Sequence, residues 1–193
     1  MITCIIFGSL AVLVLVAMAY IRFSESANKR IIEKRLKESM TVDGETIMPN
    51  WNEKDWTDFD NNLLAMDDER GLFFGVTAGK RKSDPIDEHI ITLPTITRSE
   101  VIIDGKTVLE ARAGKVTQRP PEAALDPFRK ISQQIKTIEL RVRSVNGGKT
   151  IPCAPGKYGI SLAEKYHLKL VDAMIKSGTS LAPASRKLRK VQA

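Results

Sequence analysis

An uncharged apolar stretch at the start of the chain constrains its architecture more than any other feature. The sequence opens MITCIIFGSLAVLVLVAMAYIRF, and residues 2–20 contain no charged side chain. In a helix, nineteen residues reach roughly 29 Å, which matches the hydrocarbon thickness of a bilayer. The stretch therefore predicts a single transmembrane helix over residues 1–21.

The same stretch ends in Ala17-Met18-Ala19, which has the form of a signal-peptide cleavage site. Signal peptides, however, begin with a basic segment and have a shorter apolar core, and here only Met1 precedes the apolar run. Positive residues close to a membrane span stay on the cytoplasmic side. Six such residues follow the span: Arg22, Lys29, Arg30, Lys34, Arg35 and Lys37. We therefore expect an uncleaved single-pass anchor in a bacterial inner membrane, with a periplasmic amino terminus and a cytoplasmic domain.

The positive charge of the chain is concentrated at its two ends. Of the formal net charge of +7, residues 22–38 contribute +3 and residues 177–193 contribute +4, so the segment between them is neutral. The basic residues of the tail are Arg186, Lys187, Arg189 and Lys190. A nucleic-acid-binding domain carries its positive charge on the folded surface that meets the phosphates. The distribution therefore argues against nucleic acid as a partner and favours contact of the ends with anionic lipid.

Cysteine and histidine are sparse. Cys4 lies in the apolar stretch, Cys153 is the one cysteine after it, and the histidines are His89 and His167. Zinc sites usually need three or four closely spaced ligands, and this sequence clusters none. We therefore expect no metal, no cofactor and no intramolecular disulfide in the domain.

The segment after the anchor predicts a helical stalk over residues 22–40. Ile32, Leu36 and Met40 form a narrow apolar stripe along it. Such a stripe fits either a solvated stalk or the seam of a short coiled-coil homodimer.

Three segments follow the stalk: a linker over residues 41–60, which has no sustained period, a folded domain over residues 61–178 and a basic tail over residues 179–193. The domain contains seven short runs, rich in β-branched and aromatic residues, that predict antiparallel strands. They are NLLAM, LFFGVT, HIITL, ITRSEVII, KTVLEAR, KTIELRVRS and KTIPCA. Asp104-Gly105 between two of them is a strong hairpin signal, because that turn needs positive φ.

One long helix is predicted after the strands. Ser161-Leu162-Ala163-Glu164 has the form of a capping box that starts a helix, and Gly178 has the form of a stop. The face that must be buried holds Tyr166, Leu170, Ala173 and Met174. Seven antiparallel strands closed by one C-terminal amphipathic helix form a pleckstrin-homology-like (PH-like) barrel or sandwich. The predicted class is α+β.

The string ITRSEVIIDGKTV, followed later by IKTIELRVRS and the final helix, resembles uncharacterised bacterial proteins with a PH-like domain, many of them small and membrane-associated. The resemblance covers residues 62–176 and implies a PH-like fold beside a membrane. The residues that carry it are Ser99, Glu100, Asp104, Gly105, Leu140 and Arg141. Where such proteins often have a Gly-rich stretch between the two motifs, this chain has AGKVTQRPPEAALDPFRK.

Motifs for nucleotide binding and catalysis are incomplete. Gly148-Lys149-Thr150 resembles the end of a P-loop, but Arg143 stands where that motif has its first glycine. Cys153 could in principle pair with His89 or His167 as nucleophile and base. No catalytic signature surrounds it, and a lone cysteine is more often a small buried hydrophobe. We expect no enzymatic activity.

Arg141 and Arg143 alternate with Glu139 on one predicted strand and therefore share a face. This pattern fits a solvated, salt-bridged face or a pocket for a phosphoinositide-like headgroup. Together with the tail residues Arg186, Lys187, Arg189 and Lys190, the two arginines are the candidate contacts for a partner or a headgroup.

The combined features predict a non-catalytic single-pass membrane protein whose cytoplasmic PH-like domain binds another protein at the membrane. Exclusion proteins of conjugative plasmids are often small, inner-membrane and non-enzymatic, so this role is a specific version of the hypothesis. Two alternatives stay open: a module that binds anionic lipid or its headgroups, and an enzyme exported after signal cleavage.

The uncleaved anchor has a direct test. Intact-mass spectrometry of the membrane fraction should find a chain that retains residues 1–20, because the stretch lacks the basic start of a signal peptide. A mature chain that begins near Tyr20 would contradict the anchor and support the exported enzyme.

Overall fold

The computed structural model describes residues 16, 29–42, 44–58, 62–78, 85–121 and 124–185. Within these ranges the chain forms ten strands. They are β1 (Met40–Val42), β2 (Glu45–Ile47), β3 (Glu53–Asp58), β4 (Asn62–Asp67), β5 (Leu72–Ala78), β6 (Ile86–Thr92), β7 (Ile96–Ile103), β8 (Lys106–Arg112), β9 (Ile138–Ser144) and β10 (Gly147–Cys153). The helices are α1 (29–35), α2 (Asp126–Lys130) and α3 (Lys157–Ser185), and Leu93–Thr95 forms a 3-10 turn.

The predicted anchor lies outside the described residues, apart from Val16. The same holds for Arg22 and for the basic tail residues Arg186, Lys187, Arg189 and Lys190. Within the described part of the chain, no helix is both long and apolar enough to cross a membrane.

Two four-stranded antiparallel sheets form the body of the domain. Sheet 1 has the order β3-β4-β5-β6, and sheet 2 has the order β10-β9-β7-β8; β1 and β2 form a separate hairpin. All seven strands predicted from the sequence are present, as β4 to β10. An α+β class with mainly antiparallel sheets and a C-terminal helix is therefore confirmed.

The turn between β7 and β8 forms as the sequence predicts. Asp104 and Gly105 have φ angles of 47° and 76°, the left-handed values that a tight hairpin turn requires. The Asp104 carboxylate also accepts hydrogen bonds, both 2.9 Å long, from the backbone N–H groups of Thr137 and Lys136. These bonds hold the pKa of Asp104 below its usual range. The turn therefore also fixes the start of β9.

The main core lies between the two sheets and is closed by α3. Tyr166 of α3 is completely buried, and its ring meets Phe73 edge-on at 6.3 Å between centroids. Its hydroxyl lies 3.0 Å from the carbonyl oxygen of Leu64 and 3.0 Å from a carboxylate oxygen of Asp55. Burial raises the pKa of this hydroxyl, so it stays protonated and donates. Helix α3, which packs on sheet 2, is thereby tied to strands β3 and β4 of sheet 1.

The segment predicted as a linker over residues 41–60 contains three strands. Its longest strand, β3, pairs with β4 as the edge of sheet 1. Two of its acidic residues face lysines of α3: Asp55 lies 2.8 Å from Lys165, and Glu53 lies 2.7 Å from Lys169. The linker interpretation failed because this strand meets a charged helix surface, so it lacks the apolar alternation that marks a half-buried strand.

The predicted solvated stalk is also corrected where the structure describes it. Ile32 is completely buried and Leu36 is 7% exposed, and both pack against the outer face of sheet 1 together with Leu63, Phe74 and Val76. The apolar stripe is therefore used within the domain. These side chains do not form a free coiled-coil seam, and the folded unit begins before residue 61.

Helix α3 is longer at both ends than the sequence predicts. It begins at Lys157, so Ser161 lies inside the helix, and it continues past Gly178 to Ser185. The first turn lies directly against the backbone of Ala154, where a Cβ at Gly159 would come within 1.8 Å of the Ala154 carbonyl oxygen. Only glycine allows this approach. The start of α3 is therefore marked by the contact between Gly159 and Ala154, and the predicted capping box at Ser161 lies inside the helix.

The docking of α1 predicts an unequal response to two neighbouring truncations. Ile32→Ala should lower the free energy of unfolding by roughly 2–4 kcal/mol, because it removes a fully buried side chain. Ile31→Ala should cost less than about 1 kcal/mol, because Ile31 is 39% exposed. Urea unfolding of the full-length protein in non-ionic detergent measures both, with Trp51 and Trp56 in the same cluster as reporters. Equal, small effects would indicate a solvated stalk.

Candidate binding face

Four arginines lie on the outer face of sheet 2, on the side away from the core. They are Arg98 on β7, Arg112 on β8, and Arg141 and Arg143 on β9. The intervening residues of β7 and β9, such as Val101 and Leu140, point into the core. We call this surface the arginine face.

Strand register arranges these side chains in two rows across the sheet. Arg143, Arg98 and Arg112 stand opposite one another in the first row. The second row places Arg141 opposite Glu100, and Glu100 opposite Glu110. Like charges directly opposite each other destabilise a sheet, so the first row depends on the acids of the second.

The two glutamates neutralise the centre of the face. Glu100 is 2% exposed, and its Oε1 lies 2.8 Å from Arg98 and accepts a 3.3 Å hydrogen bond from Thr107. Glu110 is paired with Arg112 and lies 2.9 Å from Arg98 Nε, although that N–H is not aligned for a hydrogen bond. The hydrogen bond from Arg112, followed by the charges of Arg112 and Arg98, holds the pKa of Glu110 below its usual range. The two carboxylates therefore balance the charges of Arg98 and Arg112: Glu100 pairs with Arg98, and Glu110 pairs with both arginines.

The β9 side of the face keeps its positive charge. The nearest carboxylate to Arg141 is Glu100, at 4.0 Å, and its Nε donates a 3.2 Å hydrogen bond to the Thr150 hydroxyl. Arg143 is exposed and makes no ion pair with any described residue. Both arginines line a shallow groove of about 520 Å³ along the β9-β10 hairpin, which also includes Thr97 and Thr150.

The structure brings together only part of the predicted contact set. Arg141 and Arg143 share one face, as predicted. The described basic residues that follow the expected anchor lie on the other side of the domain, on or beside α1, and three of them are already engaged. Lys34 lies 3.8 Å from Glu38. Lys29 stands 5.1 Å above the Trp56 ring, and Arg35 lies 3.6 Å from Glu88.

Sequence reasoning missed Arg98 and Arg112 as members of this face. A signal existed, since Arg98 and Glu100 alternate on β7 while Glu110 and Arg112 alternate on β8. A strict hairpin around Asp104-Gly105 would place Glu110 on the same side as Ser99, which is the core side. A register shift between Val101 and Ile102 reverses this. The shift brings Glu110 out to Glu100 and completes the face.

A buried serine and histidine form the one nucleophile-like pair among the described hydrogen bonds. Ser99 Oγ lies 2.9 Å from His167 Nδ1, and both residues are completely buried. His167 Nε2 has no hydrogen-bond partner among the described residues. Burial lowers the pKa of His167 to about 4, so the ring is neutral at physiological pH. His167 on α3 and Ser99 on β7 therefore contact each other inside the core.

The remaining chemical candidates have structural partners. Cys153 is 5% exposed, as expected for a small buried hydrophobe. Lys149, the lysine of the P-loop-like string, is 8% exposed, is paired with Asp87 and donates a 2.9 Å hydrogen bond to Thr77. In the described part of the chain, no three His, Cys, Asp or Glu residues are grouped in a way that could hold a metal ion.

A second groove, of about 470 Å³, lies between α3 and the turn after β4. Its floor is apolar, with Met66, Leu93 and Pro94, and its rim carries charged residues. One rim pair, Lys169 and Asp68, is joined at 3.4 Å. Asp172, another charged residue of this groove, lies 3.7 Å from Arg119.

No family model, curated protein or solved structure matches the chain. The resemblance to PH-like proteins therefore stays a prediction, and the arginine face has to be interpreted from its own geometry.

The buried histidine predicts a loss of stability in mild acid. Because its folded pKa of about 4 lies below the ordinary value of 6.5, the unfolded chain binds the proton first, and stability falls as pH decreases from 6.5 towards 4. The expected loss is about 2 kcal/mol by pH 5. His167→Asn keeps a polar atom near Ser99 and should flatten the slope between pH 7 and 5, as measured by urea unfolding. If the stability of the unchanged protein and that of His167→Asn fall equally between pH 7 and 5, His167 is not the source of the acid sensitivity.

Proposed function

We propose that this chain is a membrane-anchored, non-enzymatic binding protein whose PH-like domain holds a protein partner on its arginine face. The supporting fold features are two antiparallel sheets around a common core and a C-terminal helix that closes the side between them. The anchor over residues 1–21 and the bacterial inner-membrane location are part of this proposal. They rest on the uncharged stretch and on the basic residues after it.

The single observation that carries the proposal is that α1 and the arginine face lie on opposite sides of the domain. Helix α1 covers the outer face of sheet 1 through Ile32 and Leu36. The arginine face is the outer face of sheet 2, and the main core lies between the two sheets. Only eight residues, 21–28, separate the apolar stretch from α1, and we propose that the α1 side is therefore the side held near the bilayer.

Distance then separates a protein partner from a lipid headgroup. Two packed sheets are about 10 Å apart, and a helix packs about 10 Å above a sheet, so the arginine face lies roughly 20 Å farther from the bilayer than α1 does. Electrostatic attraction decays over about 8 Å at physiological ionic strength. Arg141 and Arg143 are therefore poorly placed to feel anionic lipid and well placed to meet a cytoplasmic protein.

The exposed side of α1 suits the membrane surface. Arg30, Lys34 and Lys37 are exposed, and the Lys34 side chain is 79% exposed. Ile31 adds an apolar side chain that is 39% exposed. Basic and apolar groups together are typical of an amphipathic segment lying on an anionic leaflet. This favours a lipid contact for α1, as a supplement to the anchor and not as the function of the domain.

An exclusion protein of a conjugative plasmid is the specific version of this proposal. Such a protein works by recognising a component of a transfer machinery at the membrane, and a binding face turned towards the cytoplasm fits that work. The support is architectural. Deletion of the gene from a plasmid-bearing host should raise uptake of a second, related plasmid, and unchanged uptake would remove this version while leaving the binding proposal in place.

Orientation on the membrane tests the central claim. A fluorophore is attached at Lys34→Cys or at Thr150→Cys of the full-length protein with Cys4→Ala, and Cys153 stays unlabelled because it is buried. In vesicles that contain lipids with spin-labelled headgroups, the fluorophore at position 34 should be strongly quenched and that at position 150 nearly unquenched. The expected difference follows from the roughly 20 Å separation of the two faces.

The alternatives give different results in the same experiment. Strong quenching at position 150 would place the arginine face on lipid and support the headgroup-binding module. Quenching at neither position, with the protein recovered in the soluble fraction, would contradict the anchor.

A further inference from the structure

We propose that the arginine face binds an extended acidic segment of its partner protein, with carboxylates at alternate positions that meet Arg141 and Arg143. This inference rests on the proposed function and adds the chemistry and the spacing of the ligand.

The first argument is the distribution of unmatched charge. Glu100 and Glu110 both lie close to Arg98, and Glu110 also pairs with Arg112, so the β7-β8 side of the face is nearly neutral. Arg141 reaches a carboxylate only at 4.0 Å. Glu100 is 2% exposed and held on Arg98, so it cannot swing out to serve Arg143. Glu139 lies on the same face of β9, so this strand keeps one net positive charge. The excess lies at the exposed Arg143, at the opposite end of the strand from Glu139.

The second argument is that Arg143 is costly where it stands. It lies opposite Arg98 in the sheet, and like charges in that position are destabilising. Among the described residues no carboxylate compensates it. An anionic ligand would supply the missing compensation, and an arginine guanidinium donates two parallel hydrogen bonds to a carboxylate.

A neighbouring hydroxyl adds a further donor. The Thr150 oxygen already accepts the hydrogen bond from Arg141 Nε, so its own proton is available for a ligand. Thr150 and both arginines line the same groove of about 520 Å³. The groove is open, which suits a segment lying along the strand and not an enclosed small molecule.

Spacing selects the form of the segment. Arg141 and Arg143 are two residues apart on β9, which places their Cα atoms roughly 6.6 Å apart on one face. An extended peptide carries its alternate side chains at the same interval and on one face. Acids at every third position lie about 10 Å apart and alternate between faces, so only one of them can reach an arginine.

The test uses the full-length protein in phosphatidylcholine nanodiscs and two fluorescent nonapeptides of threonine with three glutamates. In one peptide the glutamates occupy alternate positions, and in the other they occupy every third position, so composition and charge are equal. Fluorescence anisotropy should show that the alternating peptide binds at least about fivefold more tightly, because two charged hydrogen-bonded pairs form instead of one.

Matched variants assign the binding to the two arginines. The double variant Arg141→Gln/Arg143→Gln should bind the alternating peptide about tenfold or more weakly than the unchanged protein does. Lys106→Gln/Lys136→Gln removes the same charge from exposed residues elsewhere on the domain and should change affinity by less than about twofold. Arg143→Lys keeps the charge but loses the two-pronged geometry, and an intermediate loss is expected. Thermal unfolding confirms that each surface variant is folded.

Three results would overturn the inference. Equal binding of both peptides, with equal losses in both double glutamine variants, would indicate unspecific attraction by net charge. Displacement of the alternating peptide by glycerol phosphate at lower concentration than by unlabelled peptide would make a lipid headgroup the better ligand. If position 150 stays unquenched by lipid while neither peptide binds through the arginines, the acidic ligand fails and the proposed function stands.

Discussion

Burial of β4 and β5 on both faces is the constraint on which the rest of the structure depends. On the inner side, Phe73 and Leu64 belong to the main core, and on the outer side Leu63 and Phe74 need a separate cover. Helix α1 supplies this cover with Ile32. Fully burying an aliphatic or aromatic side chain contributes on the order of 2 kcal/mol, so an uncovered outer face would be a large apolar patch on an otherwise charged domain. The segment after the expected anchor is thereby made part of the fold.

This arrangement also decides which sheet face remains open to solvent. With sheet 1 covered on one side by α1 and on the other by the core, sheet 2 provides the only open sheet face among the described residues. Its outer side carries charged residues instead of apolar ones, and its charge is balanced unevenly. Glu100 stabilises the centre from a buried position, while Arg143 at the β9 side stays uncompensated. Arg143 stands opposite Arg98, and like charges in that position destabilise a sheet.

Local sequence patterns were sufficient to predict the strands rich in β-branched residues and the turn that requires positive φ. The strands β4 to β10 follow from short β-branched runs, and the φ values at Asp104 and Gly105 follow from the turn type. Elements that meet charged neighbours were missed. Strand β3 looks like a linker because Asp55 faces Lys165, and the stripe on α1 looks like a stalk because its receptor, sheet 1, comes later in the chain. Both errors concern contacts between distant segments, which no local window contains.

The sequence by itself determined strands β4 to β10, the presence of a C-terminal helix, the uncharged stretch over residues 2–20 and the shared face of Arg141 and Arg143, since each depends on residues that are close together in the chain. Only the tertiary structure decided the membership of the arginine face. A shift of one residue in the β7-β8 register moves Glu110 from the core side to the outer side, because side chains alternate with a period of two along a strand. The burial of His167 and the docking of Ile32 were likewise decided by packing, since each depends on which distant segment covers the side chain.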